Sequence, residues 1–480
     1  MPVNFFVTSE YPVRTNTQAT LLINGEEAWA EVRTQIANAQ ESIHLCFWAM
    51  QNDIELTRNL ATAISNPADR LSNTIYTLIR TKFRAGVKVR ILLWDYPFNA
   101  RQNFADTLIR LSGAVGHLEV MYQEHPDFGG SWHQKTIVID NNVAFVCGMN
   151  AKQNDWDTNA HEAFDIRRAA FDADASARSS LARHRDPSSI NPPRHDYMAK
   201  LTGDAVHDVA SNFAERWNFC KTNRLNYHRH ATTVTLPTLA SSGTGIRSQI
   251  TRTLPPYGSA VIRRTDILEV YLSAIRTAER YIYIEDQYFR SEPVAQEIAR
   301  AISRNRDLIV VVVVPPDYLT TYSPGSRLEI ASPSTYWTHA AFQEIRRVRP
   351  NFQFHFLQTY YTNSEGVITF LPIDLHAKLM IVDDAGYTVG SCNVNDRGFS
   401  ADGEMNVSVM DASVVDIRKR IFGLHLKQAC PDDIAAAFRM WEQHTQFNNL
   451  AWSRGTVPRS FIFSYNQAGP LLPVTTRTFV

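Results

Sequence analysis

A chain of 480 residues is long enough for several domains with large cores, and its 44% hydrophobic and 20% charged residues are ordinary for a globular protein. Lys and Arg total 48, as do Asp and Glu, so the chain lacks the overall positive charge typical of a general nucleic-acid binder. Its five cysteines are scattered and odd in number, which argues against a disulfide framework and a cysteine metal site.

The first half alternates predicted strands and helices. Strands are predicted at residues 21–25, 42–48, 87–94, 118–121, 132–140 and 143–147. Helices are predicted at residues 26–39, 56–65, 71–85 and 103–113. Strand–helix–strand spacing of this kind predicts parallel pairing through right-handed crossovers. Residues 172–193 are polar and turn-rich and predict a surface excursion.

The second half repeats this order of elements. Helices are predicted at residues 266–280, 293–304 and 335–347, and strands at 281–285, 308–314, 352–357, 375–383 and 387–390. The polar stretch 222–245 predicts a joint, which gives an N-terminal half at 1–225, a linker at 226–245 and a C-terminal half at 246–480.

No stretch predicts a membrane span. The longest aliphatic run, Leu308 to Val314, is far too short to cross a bilayer and predicts a buried central strand. The N-terminus has no apolar signal-peptide core. The protein is therefore expected to be cytoplasmic or exported without a cleavable signal, with peripheral membrane contact at most.

One motif occurs twice. His376, Lys378 and Asp383 are followed by Gly390-Ser391-Cys392-Asn393. Near the N-terminus the chain has the same pattern, about half a chain length earlier. That first copy comprises His133, Lys135, Asp140 and Cys147-Gly148-Met149-Asn150. Two copies with matching offsets predict two half-sites that meet as one site, which also predicts a monomer, since both are in one chain.

The residue types in this motif suit phosphoryl transfer. Alternate residues of a strand share a face, so His133 and Lys135 point the same way, as do His376 and Lys378. Asn150 and Asn393 can join them from a neighbouring strand. Two imidazoles, two ammonium groups and two amides supply a nucleophile, a proton donor and donors for the phosphate oxygens, with no metal or other cofactor required.

The paired motif resembles the phospholipase D superfamily, and the resemblance covers most of the chain. Four further segments carry it: Ile282 to Phe289 resembles Y-I-E-N-Q-[YF]-F, Ser391 to Arg397 resembles S-A-N-I-N-D-R, Asp402 to Asn406 resembles D-S-E-x-[NA], and Pro193 to Asp196 with Phe213 to Asn218 resembles W-H-D…F…R-W-N. Together they are most like eukaryotic-type phospholipases D without N-terminal lipid-binding domains. Cys147 stands where that family usually has Gly, which puts the placement of Asn150 in question.

The resemblance implies a fold and partners for the histidines. It implies two similar α/β halves, each a mixed, mostly parallel sheet flanked by helices, related by a pseudo-two-fold axis with one active site between them. It implies that Glu404 holds His133 and that Asp196 holds His376, each from the opposite half. Asp140 and Asp383 lie seven positions beyond their histidines, roughly 20 Å along a strand, and are predicted to anchor local backbone.

The implied activity is hydrolysis and transphosphatidylation of glycerophospholipids at a membrane surface through a phosphohistidine. The resemblance names the N-terminal histidine, His133, as the nucleophile; the residues alone do not distinguish it from His376. A nuclease of the same superfamily and a non-enzymatic lipid-binding relative are the alternatives. His195, His161 and Trp156 stand in similar context and are expected only to line the site.

Aromatic residues favour a lipid over nucleic acid, and nucleic acid is not expected as a partner. They follow predicted strands, where they suit a substrate with an apolar body and a polar head. Core packing and base stacking remain open for the same residues. The residues are Trp94, Tyr96, Phe98, Tyr288, Phe289, Tyr318, Tyr322 and Trp337.

Overall fold

A computed structural model describes residues 2–95, 117–127, 129–223, 231–239, 243–257, 263–315 and 333–465. Its strands are β1 Arg14–Ile23, β2 Ser42–Phe47, β3 Lys88–Trp94, β4 Leu118–Gln123, β5 Thr136–Ile139, β6 Val143–Cys147, β7 Arg194–His195, β8 Tyr197–Gly203, β9 Ile246–Leu254, β10 Arg264–Thr265, β11 Tyr281–Asp286, β12 Phe289–Arg290, β13 Ile309–Val313, β14 Phe354–Thr362, β15 Ile368–Pro372, β16 Asp374–Leu375, β17 Lys378–Val382, β18 Gly386–Gly390, β19 Val394–Asn395, β20 Glu404–Met410 and β21 Ile462–Tyr465.

The α-helices span Asn24–Asn38, Pro67–Arg70, Ile75–Arg84, Ala175–His184, Ala205–Thr222, Asp266–Arg276, Glu292–Arg304, Pro333–Arg346, Asp396–Ser400, Val414–Leu426 and Ile434–Arg454. Short 3-10 helices span Leu60–Thr62, Leu71–Asn73, Ile166–Arg168 and Pro187–Ser189. The predicted helix at 103–113 lies outside the described residues.

One continuous order of strand pairings runs through both halves: β4–β3–β2–β5–β6–β8–β1, then β9–β20–β18–β17–β11–β13–β14. The sheet is mixed, as predicted, but only β4–β3, β3–β2, β11–β13 and β13–β14 in this order are parallel. The remaining pairs are antiparallel, and two of them, β5–β6 and β17–β18, join consecutive strands through a tight turn that follows each motif. The order of pairings is the same on either side of the β1–β9 contact, while a rotation axis between the halves stays a prediction.

Three apolar clusters hold this α/β arrangement together. The first packs Trp29, Ile36 and other residues of the helices Asn24–Asn38 and Ile75–Arg84 against β2, β3 and β5. The second packs the helices Asp266–Arg276 and Glu292–Arg304 against β11 and β13. The third joins the halves and includes Leu201, Tyr283 and Trp441, so the two halves share buried surface.

Two predicted elements differ from the structure. Residues 56–65 form a helix only over Leu60–Thr62, and Leu60 and Ile64 are 63% and 46% exposed, so their periodic spacing does not mark a buried face. The segment 172–193 lies mostly at the surface, as predicted, but it differs in containing a helix and a buried Arg178, which donates to the carbonyl oxygens of Ala63, Ala169 and Ala170. Polar composition did not reveal this packing, because a guanidinium can be buried once carbonyl oxygens satisfy it.

The division at 226–245 stays a prediction. Of that stretch the structure describes 231–239 and 243–245. Thr232 donates its N–H to Glu119 and accepts from Trp217 Nε1 at 2.9 Å, so this part lies against the first half.

The motif aspartates anchor backbone at the start of a neighbouring strand. Asp140 accepts from the backbone N–H groups of Gln40, Glu41 and Ser42 at 2.7 to 2.8 Å. Asp383 accepts from those of Glu279, Arg280 and Tyr281 at 2.6 to 2.8 Å. Asp140 and Asp383 adopt positive φ angles of 51° and 57°, which Asp tolerates better than most residues. Each therefore ties its motif turn to the strand beside it, far from the histidine of its own motif.

We expect Asp140→Ala to lower the free energy of unfolding by about 3 kcal/mol, because three backbone donors lose a charged acceptor. Urea denaturation measures this change. Asp416→Ala is the matched control, since that carboxylate is 77% exposed and should change stability by less than about 0.5 kcal/mol. A loss for Asp140→Ala no larger than for the control would contradict the anchoring role.

Candidate active site

Each histidine lies just before a strand, not within one. β5 begins at Thr136 and β17 at Lys378, so the predicted strands 132–140 and 375–383 were too long at their start. The backbone there pairs with the opposite half instead: His133 N–H donates to the Gly403 oxygen and His376 N–H to the His195 oxygen, both at 2.8 Å. This exchange draws each motif to a segment that carries an acid.

The two predicted histidine–acid pairs are present, and both cross between the halves. His133 Nδ1 lies 2.8 Å from Glu404 Oε1. His376 Nδ1 lies 2.8 Å from Asp196 Oδ2. An acid on Nδ1 fixes the ring and leaves Nε2 for a substrate, as in other histidine–acid pairs. The side chains of His133 and His376 retain 16% and 8% exposure, whereas the acids are buried.

Two buried ammonium groups accompany the histidines. Lys135 Nζ donates to the backbone oxygen of His133, and Lys378 Nζ donates to that of His376, both at 2.5 Å. Lys378 also donates to Gln287 Oε1 at 3.4 Å. Neither lysine is exposed. The structure therefore places each motif histidine beside its predicted acid and bonds the lysine two positions later to that histidine's backbone oxygen.

Burial shifts the ionisation of this cluster toward neutral forms. It lowers the pKa of His133 and of His376 well below the ordinary value, with Lys135 and Arg194 respectively adding to the effect. Burial also lowers the pKa of Lys135 to about 7. It raises the pKa of Glu404 to about 8 and that of Asp196 to about 7. A bound phosphodiester anion would favour the charged forms of the histidines and lysines again.

The asparagines are buried beside the cluster, but the described hydrogen bonds do not join them to the histidines. Asn150 Oδ1 accepts from Ala49 N–H at 3.2 Å. Asn393 Oδ1 has no hydrogen-bond partner among the described residues. Cys147 completes β6 opposite Met198, so its side chain does not break the strand. The role of both asparagines stays a prediction.

Small residues of the motifs contact the acids. A Cβ atom at Gly148 would lie 2.6 Å from Asp196 Oδ1, so only glycine fits there. At the corresponding place in the second motif, Ser391 Oγ donates to Glu404 Oε2. The resemblance included Ser391 without a role, and its hydrogen bond to Glu404 is visible only in the structure.

An aromatic wall adjoins His133, and sequence analysis found only part of it. Trp48 lies edge-on to His133, with ring centroids 6.1 Å apart, and stacks on Trp94 at 5.6 Å. Lys152 Nζ lies 5.9 Å from the Trp48 ring centroid. Trp48 was missed because it ends a predicted strand and no periodic signal separates it from core residues.

The other predicted aromatic residues divide three ways. Phe289 is 1% exposed and packs against Phe354, which is core packing. Tyr288 and Trp337 are partly exposed. Trp94 joins the aromatic wall, and Tyr96, Phe98, Tyr318 and Tyr322 lie outside the described residues.

The three residues expected to line the site are buried instead. Trp156 is 1% exposed, and the guanidinium carbons of Arg58 and Arg167 lie 4.7 Å and 5.3 Å from its ring centroid. His161 and His195 are fully buried, with His161 Nδ1 2.8 Å from Asp157. These three residues therefore pack in the interior around the site and do not line its surface.

The structure also brings together ligand-type side chains that sequence spacing could not reveal. Asp155, Asp196 and His376 form one such group, and His195, Glu285 and His425 form another. Arg194 Nε lies 2.7 Å from Asp155, so the first group already contains a buried counter-charge. Metal independence stays a prediction.

Among the described residues, no helix is both long and apolar enough to cross a bilayer.

Comparison with known sequences finds two families in succession along the chain. The family described as Phospholipase D matches residues 35–248, and that described as Cardiolipin synthase, PLD-like domain matches residues 271–425. Phospholipase D A of Dictyostelium discoideum is 27% identical over 90% of this chain and 36% of its own length. Phospholipase D2 of Bos taurus is 22% identical over 87% of this chain and 53% of its own length.

The chain thus spans about half or less of the length of these two relatives. A solved structure of phosphatidylserine synthase from Haemophilus influenzae Rd KW20 aligns over 90% of this chain and 89% of its own, with a TM-score of 0.53 and 13% identity. That likeness concerns the fold alone.

Proposed function

This chain belongs to the phospholipase D superfamily, and from that premise we propose that it is a phosphodiesterase that cleaves glycerophospholipids to phosphatidic acid and a free headgroup alcohol. The observation that carries the proposal is the pair of histidine–acid contacts, His133 with Glu404 and His376 with Asp196, each made between the halves at 2.8 Å. Together they supply two imidazoles that can act in turn on one phosphorus atom.

The proposed reaction has two displacements. In the first, His133 Nε2 attacks phosphorus, the bond from phosphorus to the headgroup oxygen breaks, and His376 gives its Nε2 proton to that oxygen. In the second, His376 takes a proton from water, the water oxygen attacks phosphorus, and the bond from phosphorus to His133 breaks. The assignment of His133 as the nucleophile follows the resemblance to the superfamily.

The lysines supply positive charge when the phosphodiester anion is bound. Lys135 and Lys378 are buried next to the histidines, so their attraction for the phosphate oxygens acts with little screening by water. That charge lets the chain's own side chains stabilise the transition state. We therefore propose that no metal ion takes part in the displacement, with Asn150 and Asn393 as further donors to the oxygens.

A phospholipid is the proposed substrate class, met at a membrane surface by a monomer. Support comes from the charge balance of 48 basic and 48 acidic residues, since a nuclease needs excess Lys and Arg along its groove. The partly exposed Trp48 beside His133 adds an amphipathic wall suited to a lipid. The names of the relatives point to the same class.

The test compares phosphatidylcholine and phosphatidylethanolamine vesicles with single- and double-stranded DNA at moderate salt. Release of choline or ethanolamine, with DNA intact, is the expected result. Cleavage of DNA without headgroup release from any vesicle would overturn the lipid assignment and favour a nuclease of the same superfamily.

Transfer to an alcohol is a separate prediction. A phosphatidyl group held on His133 can be taken by any small alcohol that reaches it. With ethanol present we expect phosphatidylethanol to form at the expense of phosphatidic acid, measured by chromatography of the lipid products. Phosphatidic acid as the only product at high ethanol would indicate direct attack by water.

A further inference from the structure

A fully buried polar cluster lies beneath the Asp196–His376 pair. Glu285 of β11 is its centre. His425 Nε2 lies 2.8 Å from Glu285 Oε1, and Tyr197 OH donates to Glu285 Oε2. His195 Nε2 lies 3.4 Å from Glu285 Oε1 and 2.9 Å from Tyr197 OH. None of these four side chains is exposed.

Glu285 is the anion of this cluster. Burial opposes its ionisation, but His425 and His195 outweigh that effect and bring the pKa of Glu285 well below its ordinary value. The same three ligand-type residues could hold a metal ion, yet the carboxylate oxygens already accept from Tyr197 and His425. Hydrogen bonds therefore account for the cluster.

Glu285 contacts the side chains of the residues on both sides of Asp196, His195 and Tyr197. Residues 195 and 197 direct their side chains to Glu285, whereas Asp196, between them, is directed to His376. The His195 oxygen accepts from His376 N–H, and Asp196 Oδ1 accepts from Tyr197 N–H, both at 2.8 Å. One carboxylate from the second half thus fixes the three residues of the first half that hold His376.

Among the described residues, no carboxylate takes the corresponding position beside His133. Glu285 lies opposite Leu379, three positions after His376. At the corresponding place in the first half, Cys46 lies opposite Thr136, three positions after His133. Below the Glu404–His133 pair, Arg216 donates to Cys46 Sγ and to Gln134 Oε1, and Gln134 donates to the Glu404 backbone oxygen. Replacing Glu285 should therefore affect the position of His376 and leave that of His133 unchanged.

We propose that Glu285 is a positioning residue for His376, acting through His195 and Tyr197 on Asp196. It serves the proton transfers that His376 makes and leaves the attack by His133 unaffected. This inference rests on the proposed function, with His376 as the proton donor to the departing alcohol.

The test varies the leaving group at a constant phosphatidyl group. Phosphatidylcholine needs a proton on its departing alcohol, whereas phosphatidyl-p-nitrophenol releases a stable anion that needs none. For Glu285→Gln we expect kcat on phosphatidylcholine to fall about 100-fold with KM within about 2-fold, while the first-turnover burst of p-nitrophenol stays near that of the unchanged protein. Asp196→Asn should likewise lower kcat on phosphatidylcholine and leave the p-nitrophenol burst near that of the unchanged protein.

Glu297→Gln is the matched control. Glu297 is also a buried carboxylate, 3% exposed, but it pairs with Arg300 and Arg304 of its own helix and Arg276 of the neighbouring one. Its replacement should leave the turnover of both substrates unchanged. If a thermal unfolding scan shows that Glu285→Gln does not fold, Tyr197→Phe takes its place, since it removes one hydrogen-bond donor to Glu285. The same comparison of phosphatidylcholine turnover with the p-nitrophenol burst then tests the inference.

Two results would overturn the inference. Equal losses on the two substrates in a folded variant would show that Glu285 does not act through the proton donor. A stoichiometric metal ion found by mass spectrometry, and lost in Glu285→Gln, would make the cluster a metal site. Failure of the proposed function is a different result, in which the unchanged protein releases neither choline nor p-nitrophenol.

Discussion

Replacing either motif histidine is expected to abolish nearly all phosphodiester cleavage, and replacing both is expected to cost little more. His133→Ala and His376→Ala should each lower kcat by about 10,000-fold or more, because each removes one of the two groups that we propose act in sequence on the same phosphorus atom. The acid partner of each histidine comes from the other half, so neither half can work alone. Headgroup release from vesicles measures the loss.

His184→Ala is the control for these variants. His184 is exposed at the end of the helix Ala175–His184, and its hydrogen bonds to described residues are made to Ser180 of that helix. It should leave headgroup release unchanged. If each single motif variant kept about half of the activity, the halves would be independent sites and the shared-site proposal would fail.

Glu404→Gln is expected to remove activity and to stabilise the fold at alkaline pH. Activity should fall about 1,000-fold, since the amide no longer compensates a positive charge on His133. Burial raises the pKa of Glu404 to about 8, so between its unfolded value of 4.5 and about pH 8 the folded protein holds a proton that the unfolded chain has released. The carboxyl group therefore destabilises the fold progressively as pH rises through that range.

The variant should lose this pH dependence. At pH 8 its free energy of unfolding should exceed that of the unchanged protein by a few kcal/mol, given about 1.4 kcal/mol for each unit of pKa shift. At pH 4 the difference should vanish. Thermal and urea unfolding at pH 4, 6 and 8 measure it, and a variant less stable at pH 8 than the unchanged protein would show that the His133–Glu404 contact itself stabilises the fold.

The elements that sequence analysis predicted best are those with a local cause. The aliphatic strand at 308–314 needs only its own composition, and it lies between β11 and β14 as β13. Asp140 and Asp383 could be separated from the histidines by strand spacing alone. The partners of His133 and His376 were predicted too, but by resemblance, since acids distant in the sequence carry no local signal.

The remaining features depend on tertiary contacts. The motif backbone leaves its predicted strand at His133 because Gly403 of the other half offers a hydrogen bond there. Trp156 was expected to line the site, and two arginine side chains bury it instead. Glu285 stood in a predicted strand and in a family-like segment, but without a role, since His425 and Tyr197 approach it from distant positions in the sequence. Periodicity describes one segment, whereas these contacts join several.

The crossed pairs also set the order in which the protein becomes competent during its synthesis. His133 leaves the ribosome early, but its acid partner Glu404 follows 271 residues later. At synthesis rates of roughly 5–20 residues per second, the nascent chain carries an unpaired His133 for about 10 to 50 seconds. A truncated or half-translated chain therefore has the proposed nucleophile without Glu404, and we expect activity to begin only once both halves have folded against each other.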